Sequence, residues 1–94
     1  MLEIDVTDPS QVRLKGRFDA AEAERAGETF RTLAGPVTVD FSGVEYISSA
    51  GIAVILETYK RLKAANQAFR LVHLQPRVRN VFAYAGLDRL LDIS

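Results

Sequence analysis

The amino-acid sequence predicts one α/β domain over residues 1–94, a small mixed, mostly parallel sheet of four to five strands with helices packed on one side. A chain of 94 residues suits a single hydrophobic core. Segments in which apolar residues alternate are separated by segments in which they recur every three or four positions. Because a helix between two strands returns the chain to the same end of the sheet, this order favours parallel strands.

The first two strands are predicted to form an antiparallel hairpin. Apolar and polar residues alternate over Leu2–Val6 and again over Val12–Leu14, with the turn-forming residues Thr7-Asp8-Pro9-Ser10 between them. A first helix should begin at Ala20, because Asp19 and Glu22 resemble a capping box in which Asp replaces Ser or Thr. Its inward stripe is Ala23, Ala26, Phe30 and Leu33, and it should end at Gly35-Pro36.

A third strand over Val37–Phe41 is expected to lie parallel in the sheet interior, since it follows a helix and is rich in β-branched and aromatic residues. A tight loop after this strand then leads to a second helix from Ala50 to about Ala65. The predicted inward stripe of this helix is Ile52, Ile55, Leu56, Tyr59 and Leu62.

The remaining residues predict a fourth strand over Phe69–Leu74 and a third helix with Pro76 in its first turn. Its buried stripe should comprise Val78, Val81, Phe82 and Ala85. Gly86 suits a left-handed helix terminator. The apolar segment Leu87–Ile93 fits either a short helix or an edge strand.

Composition narrows the possible functions. Twelve basic residues balance twelve acidic ones without a basic cluster, which argues against direct nucleic-acid binding. No apolar stretch reaches the roughly 20 residues of a membrane span, and the N-terminus lacks the pattern of a signal peptide, so we expect no membrane insertion and a cytoplasmic location. There is no cysteine and only one histidine, His73, and we expect neither a metal nor a cofactor.

Polar residues are predicted to converge where strand ends meet helix starts, the usual functional edge of such a sheet. They are Asp19, Asp40, Ser42, Ser48, Ser49 and the Gln75-Pro76 turn. Ser49 falls at the start of the second helix, where unpaired N–H groups and the helix dipole favour an anion. A serine in that position is either a helix cap or a phosphorylation site.

Four segments of the chain resemble STAS domains, specifically the single-domain bacterial anti-sigma factor antagonists. They are Leu14–Asp19 (LKGRFD), Val39–Val44 (VDFSGV), Ile47–Ile52 (ISSAGI) and Ala85–Leu87 (AGL). The resemblance implies a non-enzymatic protein that binds an anti-sigma factor serine kinase. It also implies that the kinase inactivates the antagonist by phosphorylating a serine at the start of the second helix, and that a PP2C-type phosphatase restores it.

The common form of the family motif is Asp-Ser-Ser-Gly or Asp-Ser-Thr-Gly, with the first hydroxyl residue phosphorylated. On this chain the acceptor falls on Ser49, and Ser48 stands in place of the aspartate as a second candidate acceptor. A phosphate there would be opposed by Asp19 and Asp40 if they lie nearby. The predicted partner-binding residues are Asp19, Asp40, Ser42, Ser48, Ala50, Gly51, Val54, Thr58 and Arg61.

The sequence also bears on two other functions. A serine hydrolase is disfavoured because no serine lies in a Gly-x-Ser-x-Gly elbow, and the phosphate-loop and dinucleotide-binding motifs are also missing. The other is a STAS domain that serves as a constitutive subunit of a membrane complex, such as a lipid-transport ABC system, without phosphoregulation. Ser48, which replaces the aspartate, keeps this alternative open.

Overall fold

The computed structural model describes residues 1–94 and contains a five-stranded sheet with the strand order β1-β2-β3-β4-β5. Its elements are β1 (Leu2–Asp8), β2 (Gln11–Phe18), α1 (Ala20–Arg31), β3 (Val37–Ile47), α2 (Ser49–Ala64), β4 (Phe69–Val72), α3 (Pro76–Tyr84), a 3₁₀ turn (Leu87–Arg89) and β5 (Asp92–Ile93). No helix is both long and apolar enough to cross a membrane.

The sheet is mixed and mostly parallel, as predicted. Strand β1 pairs antiparallel with β2, and the three remaining pairs are parallel. Strand order follows chain order from β2 to β5, so right-handed crossovers place all three helices on one face. The other face is open and carries cross-strand neighbours of opposite charge, such as Glu3 beside Lys15 and Arg70 beside Asp92.

The core lies between the sheet and the helices. Apolar side chains of β2 and β3 alternate inward, and Phe18, Phe41 and Phe82 are fully buried. The Phe41 and Phe82 rings meet edge to face with centroids 6.2 Å apart, which fixes α3 against β3.

Strand β3 is longer than predicted, because residues 42–46 continue the strand and do not form a loop. Arg13 pairs with Asp40, and Phe18 pairs with Ile47. Between these two pairs the chain advances by five residues in β2 but by seven in β3, so β3 contains two extra residues, which form bulges. At the first bulge the Asp40 carboxylate accepts the Ser42 N–H at 2.8 Å. A side-chain acceptor thus satisfies backbone that the irregular register leaves unpaired.

Helix α1 begins at Ala20 as predicted, but only half of the capping box forms. Asp19 Oδ1 accepts the Glu22 N–H at 3.3 Å. The Glu22 carboxylate accepts instead from the Leu2 N–H at 2.8 Å and from Arg25, and Arg25 also donates to the Leu2 carbonyl. The second acid of the motif therefore ties α1 to the edge strand β1. The helix ends at Arg31, four residues before Gly35.

The C-terminal elements differ from the prediction in detail. Strand β4 ends at Val72 because His73 adopts a left-handed conformation with φ 61°. Gly86 is left-handed as predicted, with φ 74°. Both alternatives for the last segment occur, since the 3₁₀ turn precedes β5. Ala85 is exposed, contrary to the prediction, because α3 ends at Tyr84 and turns it away from the core.

Candidate functional site

The carboxyl ends of β2 and β3 bring Asp19, Ser48 and Ser49 to one edge of the sheet. Phe18 and Ile47 are in register, and the Ser48 N–H donates to the Phe18 carbonyl at 2.9 Å. The residues that follow, Asp19 and Ser48, are the N-caps of α1 and α2. Two positive helix ends therefore start side by side, and the first turn of α2 contains no acidic residue.

The two serines have different environments. Ser48 Oγ accepts the Gly51 N–H at 3.1 Å and is the N-cap of α2. Ser49 is the first helical residue, its side chain is exposed, and its hydroxyl makes no hydrogen bond within the chain. The structure thus resolves the choice between a cap and a free hydroxyl, because Ser48 is the cap and Ser49 is the accessible group.

Gly51 holds α2 close to the ends of these strands. A Cβ at this position would lie 2.8 Å from the Phe18 carbonyl oxygen and 2.9 Å from Ile47 Cγ1. Gly51 is buried, so it lies beneath any partner surface, and the neighbouring Ala50 is half-buried. The glycine of the motif therefore sets the position of Ser49 through close approach of the backbone.

Asp40 and Ser42 lie away from Ser49, in contrast to the predicted convergence. Seven residue steps separate Asp40 from Ile47 along β3, a path of roughly 20 Å at about 3.3 Å per residue with some shortening at the bulges. The prediction failed here because it ended the strand at Phe41. The Asp40 carboxylate is therefore too distant to oppose a phosphate on Ser49 strongly.

Asp40 belongs to a second polar cluster that connects β3 with the segment between β4 and α3. Its carboxylate lies 3.4 Å from His73 Nδ1 and 3.9 Å from Arg13 Nε, and Gln75 Nε2 donates to the Ser42 carbonyl at 2.9 Å. Burial raises the pKa of Asp40, but the hydrogen bonds from Ser42 and the proximity of His73 outweigh it, so that the pKa lies below its ordinary value.

Of the predicted partner-binding residues on α2, Val54 and Arg61 contact α1 and Thr58 is buried. Val54 is half-buried and faces Gly27, while Thr58 is buried and donates to the Val54 carbonyl at 2.9 Å. Arg61 is exposed but donates to the Phe30 carbonyl at the end of α1, at 2.8 Å. The approach of α1 to α2 is a tertiary contact that no local pattern of the sequence indicates.

Sequence reasoning also missed a partly exposed stripe on α2 that begins at Ser49. We name it the α2 ridge, and it comprises Ser49, Ile52, Leu56, Tyr59 and Lys63. The spacings of three and four place these residues along one line of the helix. The sequence predicts that the three apolar members face inward, whereas in the structure they are half-buried and the two end members are exposed. Half-exposure cannot be distinguished from burial by periodicity alone.

Comparison with known proteins identifies the family. Residues 5–92 match the family model described as MlaB, STAS domain. The chain is 29% identical over 87 residues to the anti-sigma-B factor antagonist of Bacillus subtilis (strain 168), covering 89% of this chain and 80% of that protein. Its fold is similar to an anti-sigma factor antagonist from Mycobacterium paratuberculosis, with TM-score 0.84, 21% identity and coverage of 99% and 83% of the two chains. It is also similar to the Bacillus cell fate determinant SpoIIAA in its phosphorylated form, with TM-score 0.73, 18% identity and coverage of 100% and 91%. This chain belongs to the STAS domain family.

Proposed function

We propose that this chain is an anti-sigma factor antagonist that binds an anti-sigma factor serine kinase in the cytoplasm and releases it when Ser49 is phosphorylated. The observation that carries the proposal is the exposed, unbonded hydroxyl of Ser49 at the first position of α2, directly after the capping serine. A PP2C-type phosphatase would restore the unmodified form.

The relatives support this proposal. The Bacillus subtilis protein is named as an antagonist of the anti-sigma-B factor, and the matched region covers most of both chains. A protein of the same fold, SpoIIAA, has been solved in a phosphorylated form. Together they favour a regulatory binding protein over an enzyme, and they favour a hydroxyl group as the regulated site.

Charge accounts for how phosphorylation would act. A phosphate on Ser49 adds about −1.5 to −2 charges at neutral pH. The N-terminus of α2 would stabilise that charge, and the neighbouring Asp19 carboxylate would oppose it. A partner docked over this edge would have to desolvate the phosphate, and a cost of about 3 kcal/mol would weaken binding more than a hundredfold.

No change of fold is needed for this regulation. The Ser49 side chain makes no internal hydrogen bond that a phosphate would break, and the Ser48 cap stays in place. The modified and unmodified forms should therefore share one backbone and differ in the electrostatic potential over the start of α2.

Affinity capture from a lysate of the source organism tests the proposal. The baits are the wild type, Ser49→Ala, Ser49→Asp and the matched neighbour Ser48→Ala, with retained proteins identified by mass spectrometry. A serine kinase retained by the wild type, Ser49→Ala and Ser48→Ala but lost by Ser49→Asp is the expected result. Equal retention of the kinase by Ser49→Ala and Ser49→Asp would refute regulation at Ser49.

The second candidate is a constitutive STAS subunit of a membrane complex such as a lipid-transport ABC system. Ser48 favours it, because the cap position carries no carboxylate and so departs from the common phosphorylated motif. In that case an ATPase subunit would be retained equally by all four baits, and Ser49 would serve only as a first-turn residue.

A further inference from the structure

We propose that the helical face of this chain is a homodimer interface in which the acidic helix α1 of each copy lies over the basic helix α3 of the other. A second copy of the chain thus occupies this face, related to the first by a two-fold axis that runs along α2. The inference is independent of the kinase and of phosphorylation at Ser49, and it assigns a role to charged residues that the proposed function leaves unused.

Charge is distributed unevenly along the chain. Residues 1–45 contain nine acidic and five basic residues, a net charge of −4, whereas residues 46–94 contain three acidic and seven basic residues, a net charge of +4. Because strand order in the sheet follows chain order, this asymmetry becomes a separation of charge across the molecule. A protein with a total charge of zero therefore has an acidic side and a basic side.

The three helices lie in a fixed order across the sheet. Helix α1 joins β2 to β3, α2 joins β3 to β4, and α3 connects β4 with β5 by way of the 3₁₀ turn, and each of these strand pairs is parallel. Right-handed crossovers place α2 between α1 and α3, with all three helices running in the same direction. The exposed side of α2 begins and ends with Ala53 and Ala64, whose small side chains let a second helix approach.

Helix α1 forms the acidic part of the helical face. Glu24 and Glu28 are exposed, lie one turn apart and form no ion pair, so their like charges disfavour each other. The two cations of α1 are already engaged, since Arg25 pairs with Glu22 and Arg31 pairs with an acid of α2. Two uncompensated carboxylates therefore face solvent from α1.

Helix α3 forms the basic part of the same face. Its nine residues include no acid, and Arg77 and Arg79 are exposed and form no ion pair. Tyr84, the last residue of the helix, is 88% exposed. Guanidinium groups suit carboxylates, and tyrosine supplies contact area at interfaces. An acidic helix is thus the electrostatic complement of α3, and α1 of a second copy provides one.

A two-fold axis along α2 makes this face complementary to itself. The rotation reverses the order of the helices across the contact, so α1 meets α3 of the other copy twice. It also brings Glu57, on the α1 side of α2, towards Lys63 of the other copy, because Lys63 ends the α2 ridge on the side away from α1. A two-fold axis across the helices would instead set α1 on α1, and repulsion between like charges disfavours it.

The size of the face limits the strength of the dimer. The two longest dimensions of the chain are 29 and 27 Å, so the whole helical face offers an area near the roughly 800 Å² that each partner buries in a stable interface. A contact over part of this face is therefore weak. We expect a Kd on the order of 100 μM at low salt and a clear weakening at about 0.5 M salt.

Sedimentation velocity of the purified chain between about 10 μM and 1 mM tests the interface. The variants Glu24→Lys/Glu28→Lys and Arg77→Glu/Arg79→Glu each reverse one side of the contact, and circular dichroism with urea midpoints checks that they are folded. We expect the Kd of each variant alone to rise by at least about tenfold, because like charges then meet at both α1–α3 contacts.

An equimolar mixture of the two reversed variants is the sharper measurement. A basic α1 then meets an acidic α3, and an acidic α1 meets a basic α3, so both contacts regain opposite charges. We expect the mixture to return to within about threefold of the wild-type Kd and to form a species of two chains.

A matched control separates this pairing from an effect of net charge. Glu3→Lys/Glu45→Lys makes the same charge change as the α1 variant, at exposed and unpaired residues of the sheet strands. Alone it should dimerise like the wild type. Mixed with Arg77→Glu/Arg79→Glu it should not reach the wild-type affinity, because one of the two contacts still opposes like charges.

The outcomes that would overturn the inference are equally definite. They are a wild-type chain that stays monomeric at about 1 mM and low salt, reversed variants that associate as well as the wild type, and a mixture of them that stays monomeric. Assemblies that keep growing with concentration would also overturn it, because a closed two-fold contact stops at two chains. None of these results bears on regulation at Ser49.

Discussion

Replacing Gly51 with alanine should destabilise the domain, although alanine is the better helix former. A Cβ at this position would lie 2.8 Å from the Phe18 carbonyl oxygen and 2.9 Å from both Phe18 Cδ1 and Ile47 Cγ1. Backbone cannot rotate away as the end of a flexible side chain can, and both side chains belong to the core. Helix α2 must therefore move away from the strand ends, and Ser49 moves with it.

The size of the effect follows from two opposing terms. Overpacking costs about 1–3 kcal/mol, and a clash with backbone at 2.8 Å belongs to the upper part of that range, about 2–3 kcal/mol. The helix preference of alanine over glycine offsets about 1 kcal/mol of this cost. The net loss should be about 1–2 kcal/mol. For a domain of this length each 1 kcal/mol shifts Tm by about 4–8 °C, so we expect Tm to fall by roughly 5–15 °C.

Gly27→Ala is the matched control, because it makes the same chemical change in the neighbouring helix. Its Cβ would lie 3.4 Å from Arg31 Nη2 and 3.8 Å from Val54 Cγ2, which is ordinary contact. This variant should gain about 0.5–1 kcal/mol from helix preference. Urea unfolding followed by circular dichroism measures both, and a Gly51→Ala variant as stable as the wild type would refute the close-approach argument.

Four further variants test the roles of single residues by urea unfolding. Ser48→Ala should lower the free energy of unfolding by about 1 kcal/mol, because the Gly51 N–H loses its acceptor. Ser49→Ala should change it by less than about 0.5 kcal/mol. Equal losses in the two variants would contradict the assignment of Ser48 as the cap. Thr58→Val should lower the free energy of unfolding by less than about 1 kcal/mol, because the Thr58 hydroxyl is buried and hydrogen-bonded only within α2. A loss of partner binding without a loss of stability would show that Thr58 contacts the partner. The hydrogen bonds from Arg25 and the Leu2 N–H lower the pKa of Glu22 below its ordinary value of 4.5. The ionised Glu22 side chain therefore stabilises the folded protein fully above pH 4.5, and this contribution is lost as the pH falls through the folded-state pKa. Glu22→Gln should therefore flatten the acid side of the stability profile, and parallel profiles for the two proteins would contradict this.

The fold was largely predictable because each element carries a local signal. Asp19 marks the start of α1, Gly86 the turn after α3, and the alternation over Val37–Phe41 a strand that is central in the sheet. The error at residues 42–46 has a physical cause. Bulges break the period of two on which strand prediction relies, and only the pairing with β2 shows that the strand continues.

The candidate site was predictable only where it is local in sequence. Ser48 and Ser49 follow one another at the start of a helix, so their position could be inferred from a few residues. The location of Asp40 depends on the length of β3, and the burial of Thr58 depends on how closely α1 approaches α2. Both are tertiary properties, and neither hydropathy nor spacing reports them.

The contacts of Glu22 and Arg25 with Leu2 affect how copies of this chain meet one another. An edge strand offers unpaired N–H and C=O groups to any other extended chain, which is a common origin of aggregation. In β1, both outward groups of Leu2 are already bonded by this pair of side chains on α1, which take the place of a neighbouring strand. The part of β1 that could still pair with another chain is the short stretch Ile4–Val6. If a second copy of β1 paired there in the same register, the two Asp5 carboxylates would repel each other. This edge of the sheet therefore offers a second copy only a short, charged stretch to pair with.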